Sequence, residues 1–187
     1  DISSHTELLE VIAELHVIGV GVLWGAFVDQ DAKDSTTYRL HIAQDGLSMP
    51  DREYYLGTDK ESVRVRRAYL PYIQEMLQKC GRSKEEAKRE ARVVVCFETA
   101  LAEVSMKKED RRDAEKTYHK KTIKQLQTLA PHINWKKYLT ATHAFTAPMI
   151  VMQPNFIKAV SKLLKDTPLS EMKSYLEWHL VNDYASY

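Results

Sequence analysis

The stretch from Ser83 to Met106 constrains the fold more than any other. Ser83-Lys-Glu-Glu86 has the form of a capping box, in which the Ser hydroxyl accepts from one free backbone N–H and the Glu reaches back to another. Behind it, Ala87, Ala91, Val94, Val95, Leu101 and Ala102 recur at helical spacing, which predicts a long helix with one buried stripe. Glu98 lies inside that stripe. A carboxylate on a buried face must be paired or protonated, because an uncompensated charge there costs several kcal/mol. An arginine-bearing loop follows at short range, and about ten extended residues reach some 30 Å, so the loop can fold back. Arg offers a planar fork that bonds both carboxylate oxygens. The expectation is a structural ion pair between Glu98 and Arg111 or Arg112.

Other segments read as helices by the same signals. Ser4-His-Thr-Glu7 is a capping box that opens a helix over Thr6–Ile18, with Leu8, Ile12 and Leu15 as its stripe and Gly19 and Gly21 ending it. Thr58-Asp-Lys-Glu61 opens a helix with the stripe Tyr69, Ile73, Met76, Leu77 and Cys80, stopped at Gly81. Pro71 inside it predicts a kink there or a break near Leu70. Short helices follow near Thr122–Leu129 and Trp135–Thr142, and Pro154 opens another over Asn155–Lys165. Thr167-Pro168 caps the last, with the stripe Met172, Tyr175, Leu176, His179 and Leu180. Strands are expected at Val22–Val28 and Thr37–Ala43, joined as a hairpin by the Asp29–Ser35 loop, with Tyr38, Leu40 and Ile42 on one face and Arg39 and His41 on the other. Pro148–Met152 reads as a short apolar strand-like run. Lys107–Lys121 holds seven Lys/Arg and four Asp/Glu and reads as an irregular crossover with internal ion pairs. The fold class is therefore mainly α, a multi-helix domain with a small β-hairpin near the N-terminus. Residues 1–57 form helix, hairpin and connector, and residues 58–187 the helical body of a single domain.

Composition excludes several functions. The chain has 187 residues and a formal net charge of +1, which argues against a dedicated nucleic-acid or anionic-membrane binder. No apolar run approaches the roughly 20 residues that span a bilayer. Cys80 and Cys96 are read as two buried free thiols in facing helices. Trp24, Trp135 and Trp178 read as core anchors. Asp29, Asp31 and Asp34 only faintly suggest a calcium loop, since its Gly and distal Glu are missing.

The run Gln44-Asp-Gly-Leu-Ser-Met-Pro-Asp-Arg-Glu-Tyr-Tyr-Leu56 reads physically as two turns and a helical turn presenting Tyr54 and Tyr55. Its wording, GLSMPDREYYL, resembles the GLSLPDRDYYL signature of the neprilysin-like zinc metalloendopeptidases. The positions that carry this are Pro50, Asp51, Arg52, Tyr54 and Tyr55. Three more segments resemble the family in the same order. They are Phe27–Tyr38, then Lys108–Asp113 with Tyr118 after it, and Thr167–Trp178, which contribute Asp113 and Trp178.

The resemblance implies the N-terminal helical part of such a peptidase, a fragment of a longer polypeptide. Its implied role is architectural: to wall the substrate chamber and limit substrates to small peptides. Its partners would be the C-terminal catalytic domain of the same polypeptide and the parent's peptide substrates. Zinc is implied for the parent, bound by a His-Glu-x-x-His helix. Of the seven histidines here none is followed by Glu and no two are four residues apart, so no catalytic or metal-binding residue and no cofactor is expected in this segment. Both ends of the sequence read as cut. Animal relatives are disulfide-rich ectodomains, so two cysteines favour a bacterial-type cytoplasmic or lipoprotein-anchored enzyme. The alternative is a stand-alone helical protein- or peptide-binding module, which a stop codon after Tyr187 would indicate.

Overall fold

The computed structural model describes residues 2–144 and 148–185. In chain order the elements are α1 (His5–Val17), β1 (Trp24–Asp31), β2 (Asp34–Gln44), α2 (Glu53–Leu56), α3 (Lys60–Lys79), α4 (Lys84–Val104) and α5 (Lys108–Arg111). They continue with α6 (Ala114–Thr117), β3 (Lys120–Lys121), α7 (Ile123–Leu129), α8 (Trp135–Ala141), β4 (Met149–Val151), α9 (Pro154–Asp166) and α10 (Leu169–Tyr184). The fold is mainly helical, as the periodicity predicts. The expected tail of α10, Ser186 and Tyr187, lies outside the described residues.

The chain packs as two compact units. One unit is Asp1–Gly46 with Met106–Thr167; the other is Leu47–Ser105 with Pro168–Tyr187. Composition does not announce these borders, because both units are threaded by discontinuous stretches of chain.

In the first unit the hairpin forms one side of a four-stranded sheet of order β1-β2-β4-β3, with β2 and β4 central. β1 and β2 pair antiparallel from Trp24 with Gln44 to Gln30 with Tyr38, so the strands run further than the sequence suggests and the turn is shorter. β4 adds parallel to β2, with His41 opposite Ile150, and β3 pairs antiparallel with β4. His41, on the face expected to be open, is covered by the stacked Phe27 ring. Leu40, His41 and Ile42 are all buried while Tyr38 is 61% exposed, so the expected alternation fails. α1 follows its stripe, burying Leu8, Ile12 and Leu15, and ends at Gly19, whose φ of +87° favours glycine. Ser4 caps it, but the Glu7 carboxylate bonds Ser3 instead of closing the box. The expected crossover at Lys107–Lys121 contains α5, α6 and β3.

In the second unit α3 and α4 form an antiparallel pair packed with α2 and α10. α3 is capped by Asp59 rather than Thr58 and runs unbroken through Pro71. Arg67, the residue whose carbonyl loses its partner, is exposed along with Pro71, so water can take the freed bond. α4 has the complete capping box. Cys80 and Cys96 are free but exposed, not buried: Cys80 caps the end of α3, and Cys96 lies off the apolar stripe of α4.

Candidate functional site

Glu98 is fully buried on α4, as its stripe requires. Four donors meet its two oxygens. Oε1 accepts from Ser48 Oγ at 2.6 Å and lies 3.0 Å from His179 Nε2. Oε2 accepts from Tyr55 OH at 2.8 Å and Tyr69 OH at 2.7 Å. With a carboxylate as partner, the hydrogen of the His179 ring is assigned to Nε2. The network extends outward, since Trp178 Nε1 donates to both Ser48 Oγ and Tyr69 OH at 3.0 Å, and Met49 N donates to Tyr55 OH. Each tyrosine therefore both donates and accepts. Burial first, then the neighbouring Glu98 charge, pushes both phenols far above their ordinary pKa and keeps them neutral donors.

The expected ion pair is thus corrected. Neither Arg111 nor Arg112 is a partner of Glu98. Both arginines are exposed on and just after α5 in the first unit. Four hydrogen bonds fill the acceptor capacity of a carboxylate, so no guanidinium is needed. The donors come from Ser48, Tyr55, Tyr69 and His179, and three of the four carry no charge to desolvate.

Ser48, His179 and Glu98 together superficially suggest a nucleophile, base and acid. The geometry contradicts it. In a catalytic triad the acid and the nucleophile use opposite ring nitrogens, whereas here both face Nε2, with Ser48 Oγ at 3.5 Å. The Ser48 hydrogen is already committed to Glu98. The cluster is a structural hub.

A second buried carboxylate, missed by sequence reasoning, lies in the first unit. Asp31 is 1% exposed at the end of β1. It accepts from Arg39 Nε and Lys33 N, pairs with Lys120 Nζ at 2.9 Å, and takes Tyr118 OH at 2.7 Å. Lys120 and Arg39 hold its carboxyl well below the usual carboxylate range. At the other end of β1, His16 is held between Tyr138 OH at 2.7 Å and Val22 O at 2.8 Å, against Trp24. Burial pushes its pKa down, and burial likewise raises the Tyr138 phenol to about 12.

The remaining signature positions are structural where the contacts show a role. Asp51 Oδ1 accepts from Glu53 N, and Arg52 Nη1 donates to Ser105 O at 2.7 Å. Tyr54 O accepts from Arg66 Nη1, which also reaches Tyr55 O. Asp113 caps α6, Pro50 is exposed, and Trp178 is 0% exposed. Among the described residues no three His, Cys, Asp or Glu side chains form a group that could hold a metal ion. His16, His41, His119 and His179 each face a backbone carbonyl or the Glu98 carboxylate. With no such convergent group, the described side chains do not fit a catalytic zinc, which needs about three convergent protein ligands.

The family model for the N-terminal part of peptidase family M13 matches residues 1–187. This chain belongs to peptidase family M13. It is 34% identical over 170 residues to endothelin-converting enzyme 1 of Cavia porcellus, covering 88% of this chain and 22% of that protein. Endothelin-converting enzyme-like 1 of Mus musculus is 32% identical over 171 residues, with the same coverage. Among solved structures, the zinc metalloprotease Zmp1 of Mycobacterium tuberculosis in complex with an inhibitor is 30% identical, with a TM-score of 0.91 over 96% of this chain and 28% of that one. The M13 chain therefore spans about a quarter of the length of these relatives, and it corresponds to their N-terminal domain. Its four family-like segments meet in pairs. Ser48 and Tyr55 of one join Trp178 of another around Glu98. Asp31 of a third meets Tyr118, which follows the fourth.

Proposed function

We propose that this chain is the non-catalytic N-terminal part of a zinc metalloendopeptidase, which walls the substrate chamber and limits substrates to small peptides. The carrying observation is the agreement with Zmp1, described as a zinc metalloprotease, over nearly the whole of this chain and only 28% of the other. That leaves most of such an enzyme to supply chemistry elsewhere. That no three His, Cys, Asp or Glu side chains converge among the described residues supports this division of labour, since a catalytic zinc needs about three protein ligands. On this reading the partner is the C-terminal catalytic domain of the same polypeptide, where zinc resides, and the substrates are peptides. Two exposed free cysteines favour a bacterial-type cytoplasmic or lipoprotein-anchored enzyme over a disulfide-rich ectodomain.

The test compares this chain with the longer polypeptide that contains it, on a short fluorogenic peptide and on a folded protein. The longer form is expected to cleave the peptide and spare the folded protein, and this chain to cleave neither. Peptide cleavage by this chain alone, or equal cleavage of both substrates by the longer form, overturns the reading.

A further inference from the structure

The first unit carries a surface pocket that the Glu98 hub and the Asp31 cluster leave unused. Phe27, Ala43 and Met152 give it apolar walls. Phe27 is 44% exposed yet fixed, because its ring stacks on His41 with centroids 5.4 Å apart and planes 9° from parallel. Gln44 and Gln153 supply amides. The Gln44 side chain is locked by two bonds to the Met106 backbone, at 2.7 and 3.1 Å. Gln153 is only 3% exposed, and its Oε1 accepts from Gln44 N at 2.8 Å. That bond fixes which end of the amide is oxygen, leaving the NH2 end with two donors. Nothing among the described residues accepts from it, and it is not among the fully enclosed unsatisfied atoms.

Lys108, Arg111 and Arg112 complete the rim. None has an ion-pair partner among the described residues, although acidic residues share their segment. Of those, Asp110 is taken by Lys116 and Asp113 caps α6, and neither they nor Glu109 line the pocket. Three unneutralised cations beside an apolar wall and a buried amide donor form a surface complementary to a carboxylate next to an apolar side chain.

We propose that this pocket binds a carboxylate-bearing peptide, with Arg111 and Arg112 pairing the carboxylate, Gln153 donating to it, and Phe27, Ala43 and Met152 taking the adjacent apolar side chain. The choice of a peptide as ligand class rests on the proposed function. The recognising groups do not.

The test is fluorescence anisotropy of this chain with a labelled Ala-Ala-Leu-Glu tetrapeptide at low salt. Four forms separate the two carboxylate sources: free acid or amide at the C-terminus, combined with Glu or Gln. Forms with a carboxylate are expected to bind at least 10-fold tighter than the doubly neutral form. The form that retains binding identifies the source. The double variant Arg111→Ala/Arg112→Ala should lose at least 10-fold, and Arg111→Lys/Arg112→Lys should recover part of it. Replacing Leu by Gly in the peptide should weaken binding, and Phe27→Ala should remove that preference. Far-UV circular dichroism checks that each variant is folded. Equal binding of all four peptides, an unaffected arginine double variant, or displacement by equimolar inorganic phosphate overturns the proposal. Because no catalysis is measured, its failure leaves the reading of the chain as a non-catalytic domain intact. Peptidase activity in this chain would overturn that reading while leaving the binding result as it stands.

Discussion

Asp31 in the first unit and Glu98 in the second both have side chains with no exposed surface, but their surroundings differ in kind. Asp31 is neutralised by charge: Arg39 and Lys120 flank it, and their side chains are 15% and 37% exposed. Glu98 is held mainly by neutral dipoles, three hydroxyls and one ring N–H, inside a core that includes Tyr55, Tyr69 and Trp178. A buried carboxylate can thus be stabilised by counter-charges that keep one side in water, or by enough oriented donors to replace its hydration. The first arrangement responds to pH and salt. The second responds to the loss of any single donor, because each hydroxyl left behind is itself buried or half-buried.

The sharpest challenge to the second arrangement is Trp178→Ala. It removes a fully buried indole that packs on Tyr69 and donates to Ser48 and Tyr69. A loss of about 3–5 kcal/mol is expected from urea denaturation, the usual cost of a buried large aromatic. An unchanged midpoint would mean that this core is not the stabilising one.

Glu98→Gln should cost less, about 2–3 kcal/mol, as charge-assisted bonds become neutral and one pair of donors faces an NH2 group. The hydroxyls cannot readily reverse, because Tyr55 OH and Tyr69 OH already accept from Met49 N and Trp178 Nε1. A neutral result in the same denaturation assay would show that the donors rearrange.

Asp31→Asn tests the charge-paired site and should be milder, since its cations stay partly hydrated. The signature is in pH. Because the folded carboxyl titrates below its ordinary value, its stabilisation is full above about pH 4 and is lost as pH falls below that. His16, whose pKa is lowered by burial, adds a separate loss that begins as pH drops through about 6.5. Midpoints measured from pH 7 to 3 should keep the His16 part in Asp31→Asn and lose the part below about pH 4. Identical acid profiles would remove Asp31 from the account.

The smallest effect is expected from Arg111→Ala/Arg112→Ala, within about 0.5 kcal/mol, because both side chains are exposed. A double-mutant cycle with Glu98→Gln should show coupling near zero. Coupling above about 1 kcal/mol would restore the ion pair that the sequence suggests.

That pair shows where sequence reasoning stops. The stripe of α4 correctly states that Glu98 is buried and needs partners. It cannot say which, because Ser48 and His179 are 50 and 81 residues away and only the tertiary fold brings them in. A hint existed in His179, which falls in the α10 stripe beside Met172, Tyr175 and Leu176. The longer helices and the β1–β2 hairpin were legible from caps and periodicity, whereas the one-turn α5 and α6 lie in a segment that reads as irregular. The two-residue β3 was not, since a strand that short leaves no pattern. Asp31 stayed hidden because an acid near a hairpin turn is ordinary, and its partners Tyr118 and Lys120 lie in a segment that looks like solvated charge.

The proposal that this M13 chain holds no catalytic zinc of its own is tested most directly by its metal content. After purification with zinc and exhaustive dialysis, elemental analysis should find far less than one zinc per chain. One tightly held zinc per chain, at nanomolar affinity, would contradict the account.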